Sequence, residues 1–348
     1  MNADPTIRAM LVLCTGILVL AALHLARSIF APVAFSLFII AIVWPLQRVL
    51  QARIPKLLAL VVTLVATVAV IAGLAYSMMW GFSRIGQWVV NNAPRFQMLY
   101  LQANEWLEEH GISVVSQTIE NFNVSWLVRG VQELGGRISG IVSFAIVTFV
   151  FTVLGLLEVD VTHRNIERLK SKEIAQSLLR AAADIAAKLQ LYMLVRSVMS
   201  ILTGSVVWGF ALLAGLELAT AWGVIAFALN YVPFLGPLVA TVFPTLFALA
   251  QFESWRLAIL VFLCLNLIQF LIGSYFEPRI AGATLSISPF LVLFAVFLWS
   301  FLWGIAGAFI GVPIVIAFLT ICEHHQSTQW VATLLSGRDS APGRFKSR

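Results

Sequence analysis

NYVPFLGPLVATVFP, residues 230–244, places three prolines (Pro233, Pro237, Pro244) and Gly236 in surroundings that are otherwise apolar. Proline has no amide to give to a helix interior, and its ring clashes with the preceding turn. The stretch lies inside an uncharged run, residues 218–252, that is 35 residues long. A straight helix of that length measures about 52 Å against a hydrocarbon core of about 30 Å. The run must therefore break or fold back, and Pro233–Pro237 marks where.

The rest of the C-terminal half repeats the pattern. Residues 197–216 and 257–276 are uncharged runs of 20, each followed by an overlong one, 218–252 and then 280–322 with 43 residues. In the second long run Pro289, Gly304, Gly307, Gly311 and Pro313 are the interruptions. Two Gly/Pro-broken segments at corresponding positions are a pointer to a transporter's binding site. A break at membrane depth is tolerated only where protein or a water-filled cavity satisfies the released backbone groups.

The whole chain fits a membrane protein. Of its 348 residues 60% are hydrophobic and 11% charged, where a soluble domain carries about 25% charged residues. The fold class expected is an all-α polytopic membrane protein with about eight hydrophobic segments and broken or re-entrant helices in the C-terminal half. Residues 9–26, 28–47, 57–83 and 138–157 supply the first four spans. Residues 1–83 and 138–157 are expected as scaffold, 84–137 as an extracytoplasmic helical insert, 158–196 as a cytoplasmic amphipathic helix, 197–322 as the transport unit, and 323–348 as a basic cytoplasmic tail. In the insert Phe96, Leu99, Ala103, Trp106 and Leu107 recur at helical spacing before Gly111, as in a helix lying on the membrane or on a neighbouring subunit. Residues 158–189 put Ile166, Leu169, Ile174, Leu178, Ala182, Ile185 and Leu189 on one face.

Charge sets the orientation. Loop 48–56 holds Arg48, Arg53 and Lys56 without an acid, whereas the 84–137 insert holds five acidic and four basic residues. The positive-inside rule then puts both termini in the cytoplasm of a bacterial inner (plasma) membrane. It also accounts for the net charge of +6 without nucleic acid. Cys14, Cys264 and Cys322 form no CxxC, so neither a disulfide framework nor a metal site is expected, and no cofactor either. The sequence has no HExxH, GxSxG or P-loop, which argues against an enzyme or an ATP-driven pump.

Asn230-Tyr-Val-Pro233-Phe-Leu-Gly236-Pro237, Glu277-Pro278-Arg279-Ile-Ala-Gly282 through Ser288-Pro289, and Trp299 with Trp303-Gly304-Ile-Ala-Gly307-Ala and Val312-Pro313 together resemble the signature of the AI-2E family of transporters. That family is named for exporters of the quorum-sensing signal autoinducer-2. The resemblance implies export of a small polar metabolite without a cofactor, and a homo-oligomer, a pentamer. It leaves sodium (or lithium)/proton exchange open, since some members look like antiporters. The chain departs from the pattern at Ser300, where a glycine commonly follows the tryptophan, and at Arg196-Ser197, where a glycine/glutamine pair is expected.

Among residues able to carry chemistry, Glu277 stands out: from 185 to 338 there is no aspartate, and the acids are Glu217, Glu253, Glu277 and Glu323. Glu277 is read either as a proton or substrate ligand, or as a carboxylate neutralised by Arg279 in a turn fixed by Pro278. Asn230 beside the first break, and Asn266 with Gln269 at i, i+3, offer neutral donors and acceptors to an uncharged hydroxylated substrate. The alternative is that these amides only join helices. The expected substrate or ion pathway is thus Asn230, Pro233, Gly236, Pro237, Asn266, Gln269, Glu277, Arg279 and Pro289, with Glu217, Gly304 and Gly307 secondary. The function expected is a secondary transporter, with elevator-like sliding and protons as partner. A sodium/proton antiporter and a non-transporting membrane scaffold are the alternatives.

Overall fold

The computed structural model describes residues 5–110, 138–281, 287–325 and 327–335. The described elements are helical: α1 (Pro5–Leu25), α2 (Arg27–Gln51), α3 (Lys56–Asn91), α4 (Ala93–Glu109), α5 (Ile138–Glu167), α6 (Lys172–Leu213), α7 (Ala219–Leu229), α8 (Leu235–Phe252), α9 (Trp255–Phe270), a π-turn (Leu271–Phe276), α10 (Glu277–Ala281), α11 (Pro289–His324) and α12 (Gln329–Leu335). Seven helices among the described residues are long and apolar enough to cross a membrane. Their outward faces are oily: only 17% of the apolar window of α3 is buried. A soluble protein does not present so much contiguous apolar surface, so this is an all-α multi-pass membrane protein.

The chain separates into two compact units, residues 1–65, 143–194 and 281–348 in one and residues 66–142 and 195–280 in the other. The expected transport unit, 197–322, is thus divided at residue 280, and its two broken segments belong to different units.

In the first unit α11 is not a single rod. Gly304 adopts φ 66°, ψ −145°, a conformation open to glycine and costly for other residues. Beyond it the chain returns on itself. A Cβ added at Gly307 would fall on the Trp299 carbonyl oxygen, and one at Gly311 would come within 2.9 Å of the Ala295 oxygen. Along a straight helix Trp299 and Gly307 would stand about 12 Å apart, so these approaches require a hairpin of two helices in near-backbone contact. Its tip is tied to the end of α1. The Trp303 indole donates to the Leu23 carbonyl at 3.1 Å, the His24 Nδ1 sits 3.1 Å from the Leu302 carbonyl, and the His24 ring stacks on Phe301. Its other end is pinned to α6 by Lys188–Glu323 at 2.6 Å and His324–Asp184 at 3.0 Å.

The second unit contains the opening stretch. α7 and α8 also form a hairpin, visible in three successive rungs. Gly236 lies against the Leu229 carbonyl, Trp222 meets the Phe247 ring at 5.2 Å, and at the open end the Gln251 side chain accepts from the Glu217 amide (2.9 Å) and donates to the Gly215 carbonyl (2.8 Å). α7 has 11 residues, about 16 Å, which is half of a hydrocarbon core.

Three expectations change. Residues 158–189 do not form one helix: α5 ends at Glu167 and α6 begins at Lys172, because the Ser171 hydroxyl caps the new helix through the Ile174 amide. Ile174 and Leu178 of the expected apolar face stay exposed, Leu189 of that face is buried, and Ala175, outside it, is buried too. The helix expected in the insert is α4, but Phe96 and Leu99 pack on a cluster of their own chain around Trp88 and Phe247. Ala103, Trp106 and Leu107 share that helix, while Gly111 and the remainder of the insert to 137 lie outside the described residues.

Gly307→Leu should lower the melting temperature of the detergent-solubilised protein by an amount corresponding to about 1–3 kcal/mol, since its Cβ meets main chain and not a movable side chain. Gly209→Ala, where nothing stands within 4 Å of the added carbon, should not lower the melting temperature, since alanine favours a helix interior over glycine. Equal melting temperatures for Gly307→Leu and the wild type would contradict the close hairpin.

Candidate functional site

The turn between α7 and α8 is built by its prolines and one strained residue. α7 ends at Leu229, Val232 donates to the Leu229 carbonyl (2.9 Å), and Gly236 donates back to Val232 (2.9 Å). Phe234 has φ 63°, ψ −47°, a positive φ that costs a bulky residue of order 1–3 kcal/mol. Pro237 sits in the first turn of α8, where its missing N–H had no helical partner to lose. Pro233 is buried in the bend. Nothing larger than glycine fits at 236, where a Cβ would overlap the Leu229 carbonyl.

The tip presents polar groups to α6. The Asn230 amide, 7% exposed, donates to the Ser200 hydroxyl at 3.3 Å, and the Tyr231 hydroxyl donates to Ser197 at 3.2 Å. Ser200 has no exposed surface. One turn back along the same helix, Arg196 reaches Glu277 in a two-pronged pair, Nη2 to Oε1 at 3.2 Å and Nη1 to Oε2 at 3.3 Å. Their side chains are 11% and 27% exposed, so the pair is largely withdrawn from solvent. Arg196 and Ser200 are i, i+4 and share a face of α6. A single turn thus joins the hairpin tip to the carboxylate.

Glu277 reaches that position in an unexpected way. The sequence points to a turn at Glu277-Pro278, but α9 continues through the π-turn into α10. The Glu277 amide bonds to the Ile272 carbonyl, five residues back. Widening the helix just before a proline relieves the clash that the ring would otherwise make. The neutralising partner also differs: Arg279 is not the one. Its guanidinium lies 3.8 Å over the Tyr275 ring, and Arg196 holds the carboxylate.

Other predicted residues lie elsewhere. Asn266 is exposed and its amide turns back to the Phe262 carbonyl of its own helix at 2.8 Å; Gln269 is half-buried on α9. Glu217 accepts from the Trp88 indole, beyond the far end of α6, about 20 Å along the helix from Ser200. Pro289 starts α11, and Gly304 and Gly307 shape its hairpin in the other unit. Residues 282–286, which include Gly282, lie outside the described residues. The residues that sequence reasoning did not rank are Ser197, Ser200, Tyr231 and Arg196. The available signal was Arg196 and Ser200 at i, i+4 leading into an uncharged run.

Helices broken by prolines and glycines, with polar groups gathered at one break, define a class: polytopic membrane proteins that handle a small solute. Residues 13–327 match the model of the AI-2E family transporter, and the chain belongs to that family. It is 28% identical to "AI-2 transport protein TqsA" of Escherichia coli (strain K12), over 92% of this chain and 93% of that protein. It is 26% identical to a "Putative transport protein" of Borreliella burgdorferi (strain ATCC 35210 / DSM 4680 / CIP 102532 / B31), over 91% of this chain and 87% of that one. "Putative transport protein YhhT" of Escherichia coli (strain K12) is also 26% identical, over 97% and 95%.

Removing one half of the Arg196–Glu277 pair strands the other charge. Glu277→Leu and Arg196→Met should each lower unfolding stability by about 1–3 kcal/mol, and the double variant should recover most of the loss. Additive losses in a chemical-denaturation cycle would show that the two side chains do not depend on each other.

Proposed function

We propose that this protein is a secondary transporter that exports a small, uncharged, hydroxylated metabolite of the autoinducer-2 kind. The observation that carries the reading is the α7–α8 hairpin, about half a membrane deep, with the buried Asn230 amide at its tip against Ser200. Neutral amide and hydroxyl groups orient a hydroxylated solute without demanding charge from it. The AI-2 transport for which the Escherichia coli relative is named fits that chemistry. On this reading the hairpin is re-entrant, opening to the outer face of the inner membrane with both termini in the cytoplasm. The Arg196–Glu277 pair closes the path beyond the tip, and binding of substrate at Asn230 and Ser200 competes with the contacts that keep the hairpin seated on α6. Movement of the hairpin within an oligomer, a pentamer, then delivers alternating access, with protons as the coupling ion at Glu277. A sodium/proton antiporter would also use Glu277, and the two readings differ in what moves with the proton.

The test is efflux of labelled autoinducer-2 from preloaded vesicles under an imposed proton gradient. Wild type should release the label, Asn230→Ala should slow release about tenfold or more through loss of a buried hydrogen-bond partner, and Glu277→Gln should uncouple release from the gradient. Sodium-driven proton movement without autoinducer-2 release would favour the antiporter. Release that both variants leave unchanged would remove the site from the hairpin.

A further inference from the structure

A second cleft, in the other unit, lies where the apolar runs of α2, α3 and α5 end. It has a volume of about 130 Å³. Its polar rim is Gln47, Gln51, Lys56, Asp160 and Arg164, and Leu60 and Leu156 form part of its apolar wall. In α2 the last apolar residue before the rim is Leu46, and in α3 the first after Lys56 is Leu57. This level is where hydrocarbon gives way to headgroups.

Gln47 is the unexplained group. It is 2% exposed, and its carbonyl oxygen Oε1 has no hydrogen-bond partner. A buried carbonyl oxygen left without a partner is costly, and Gln47 lines the cleft, so a donor entering there would satisfy it. Around it the balance is cationic: Lys56 and Arg164 against Asp160. The Lys56–Asp160 pair, 3.2 Å apart, is exposed at 72% and 38%, and an ion pair so open to water holds Lys56 only weakly. The N-terminus of α3, at Lys56, adds the positive end of its helix dipole. Arg48 in the last turn of α2 and Arg53 in the loop that follows increase the local positive potential.

We propose that this cleft binds the headgroup of an anionic glycerophospholipid whose phosphodiester carries a free hydroxyl, as phosphatidylglycerol does. Lys56 and Arg164 hold the phosphate oxygens, the glycerol hydroxyl donates to Gln47 Oε1, and the acyl chains run along the apolar wall. Zwitterionic phosphatidylcholine has no donor for Gln47 and no net charge to answer the excess of cations. Phosphatidylethanolamine offers a donor but carries an ammonium into a cationic rim. The site does not involve the hairpin tip and stands whether or not the transport reading holds.

The full-length protein in detergent is mixed with equal amounts of phosphatidylglycerol, phosphatidylethanolamine and phosphatidylcholine, and retained lipid is counted by native mass spectrometry beside thermal melting. Phosphatidylglycerol should be retained about tenfold or more over phosphatidylcholine, and should raise the melting temperature. Arg164→Ala and Gln47→Leu should each cut that preference about tenfold; Arg164→Lys should keep most of it. Arg164 is exposed, so its replacement leaves the packing intact and keeps the test valid if Gln47→Leu misfolds. Equal retention of the three lipids overturns the proposal, as does unchanged retention in Arg164→Ala. Stabilisation by glycerol 3-phosphate that equals the effect of the lipid would make the occupant a soluble phosphate ester and would overturn it too.

Discussion

A chain that turns back between two packed helices releases amides and carbonyls that water serves in a soluble protein and that lipid cannot serve. Everything distinctive about this structure answers that constraint. At Asn230–Gly236 the turn bonds to itself through Val232 and Gly236, and it uses prolines where an N–H would otherwise be stranded. At Gly304 a single positive φ makes the reversal, and the Trp303 indole, in addition, reaches across to a carbonyl at the end of α1. Buried backbone polar groups are rarely left without partners, and here the turns meet that demand with few residues.

The close hairpins have a second consequence. The two helices of each hairpin nearly touch at Trp299–Gly307 and Leu229–Gly236, because glycine leaves no side chain between the backbones at those points. The tip of the α7–α8 hairpin meets α6 through polar contacts, Asn230 to Ser200 and Tyr231 to Ser197, while its body packs in an apolar cluster with α6 and α9. Interhelical hydrogen bonds of this kind are worth about 0.6–2 kcal/mol each in a membrane, small enough for a bound solute to replace. The proposed mechanism depends on a solute exchanging with these polar contacts at the tip.

Charge is arranged with equal economy. Arg196 is the residue that meets Glu277. A withdrawn carboxylate without a cation would be costly, so the position of the arginine compensates the acid rather than adding an isolated charge. Lys188–Glu323 and His324–Asp184 similarly tie α11 to α6 at the polar end of the first unit.

Composition and the lengths of uncharged runs determined the fold class by themselves, because a 35-residue apolar run with prolines at its centre cannot cross a bilayer as one helix. The breaks at 230–236 and at Gly304 fall on stretches rich in proline or glycine, which act on the backbone locally, but Pro244 and Pro313 lie inside helices. Partnership was not legible. Sequence proximity offered Arg279 to Glu277, yet the guanidinium that meets the carboxylate lies 81 positions away. A π-turn, invisible in any periodicity, sets the direction in which Glu277 points. Asn266 and Gln269 looked equivalent to Asn230 as polar residues in apolar runs, but Asn230 is buried at a tip and Asn266 satisfies itself on its own helix. Backbone propensity is a property of neighbours in sequence. Which polar groups meet across helices depends on how those helices pack, and only the tertiary structure decides that.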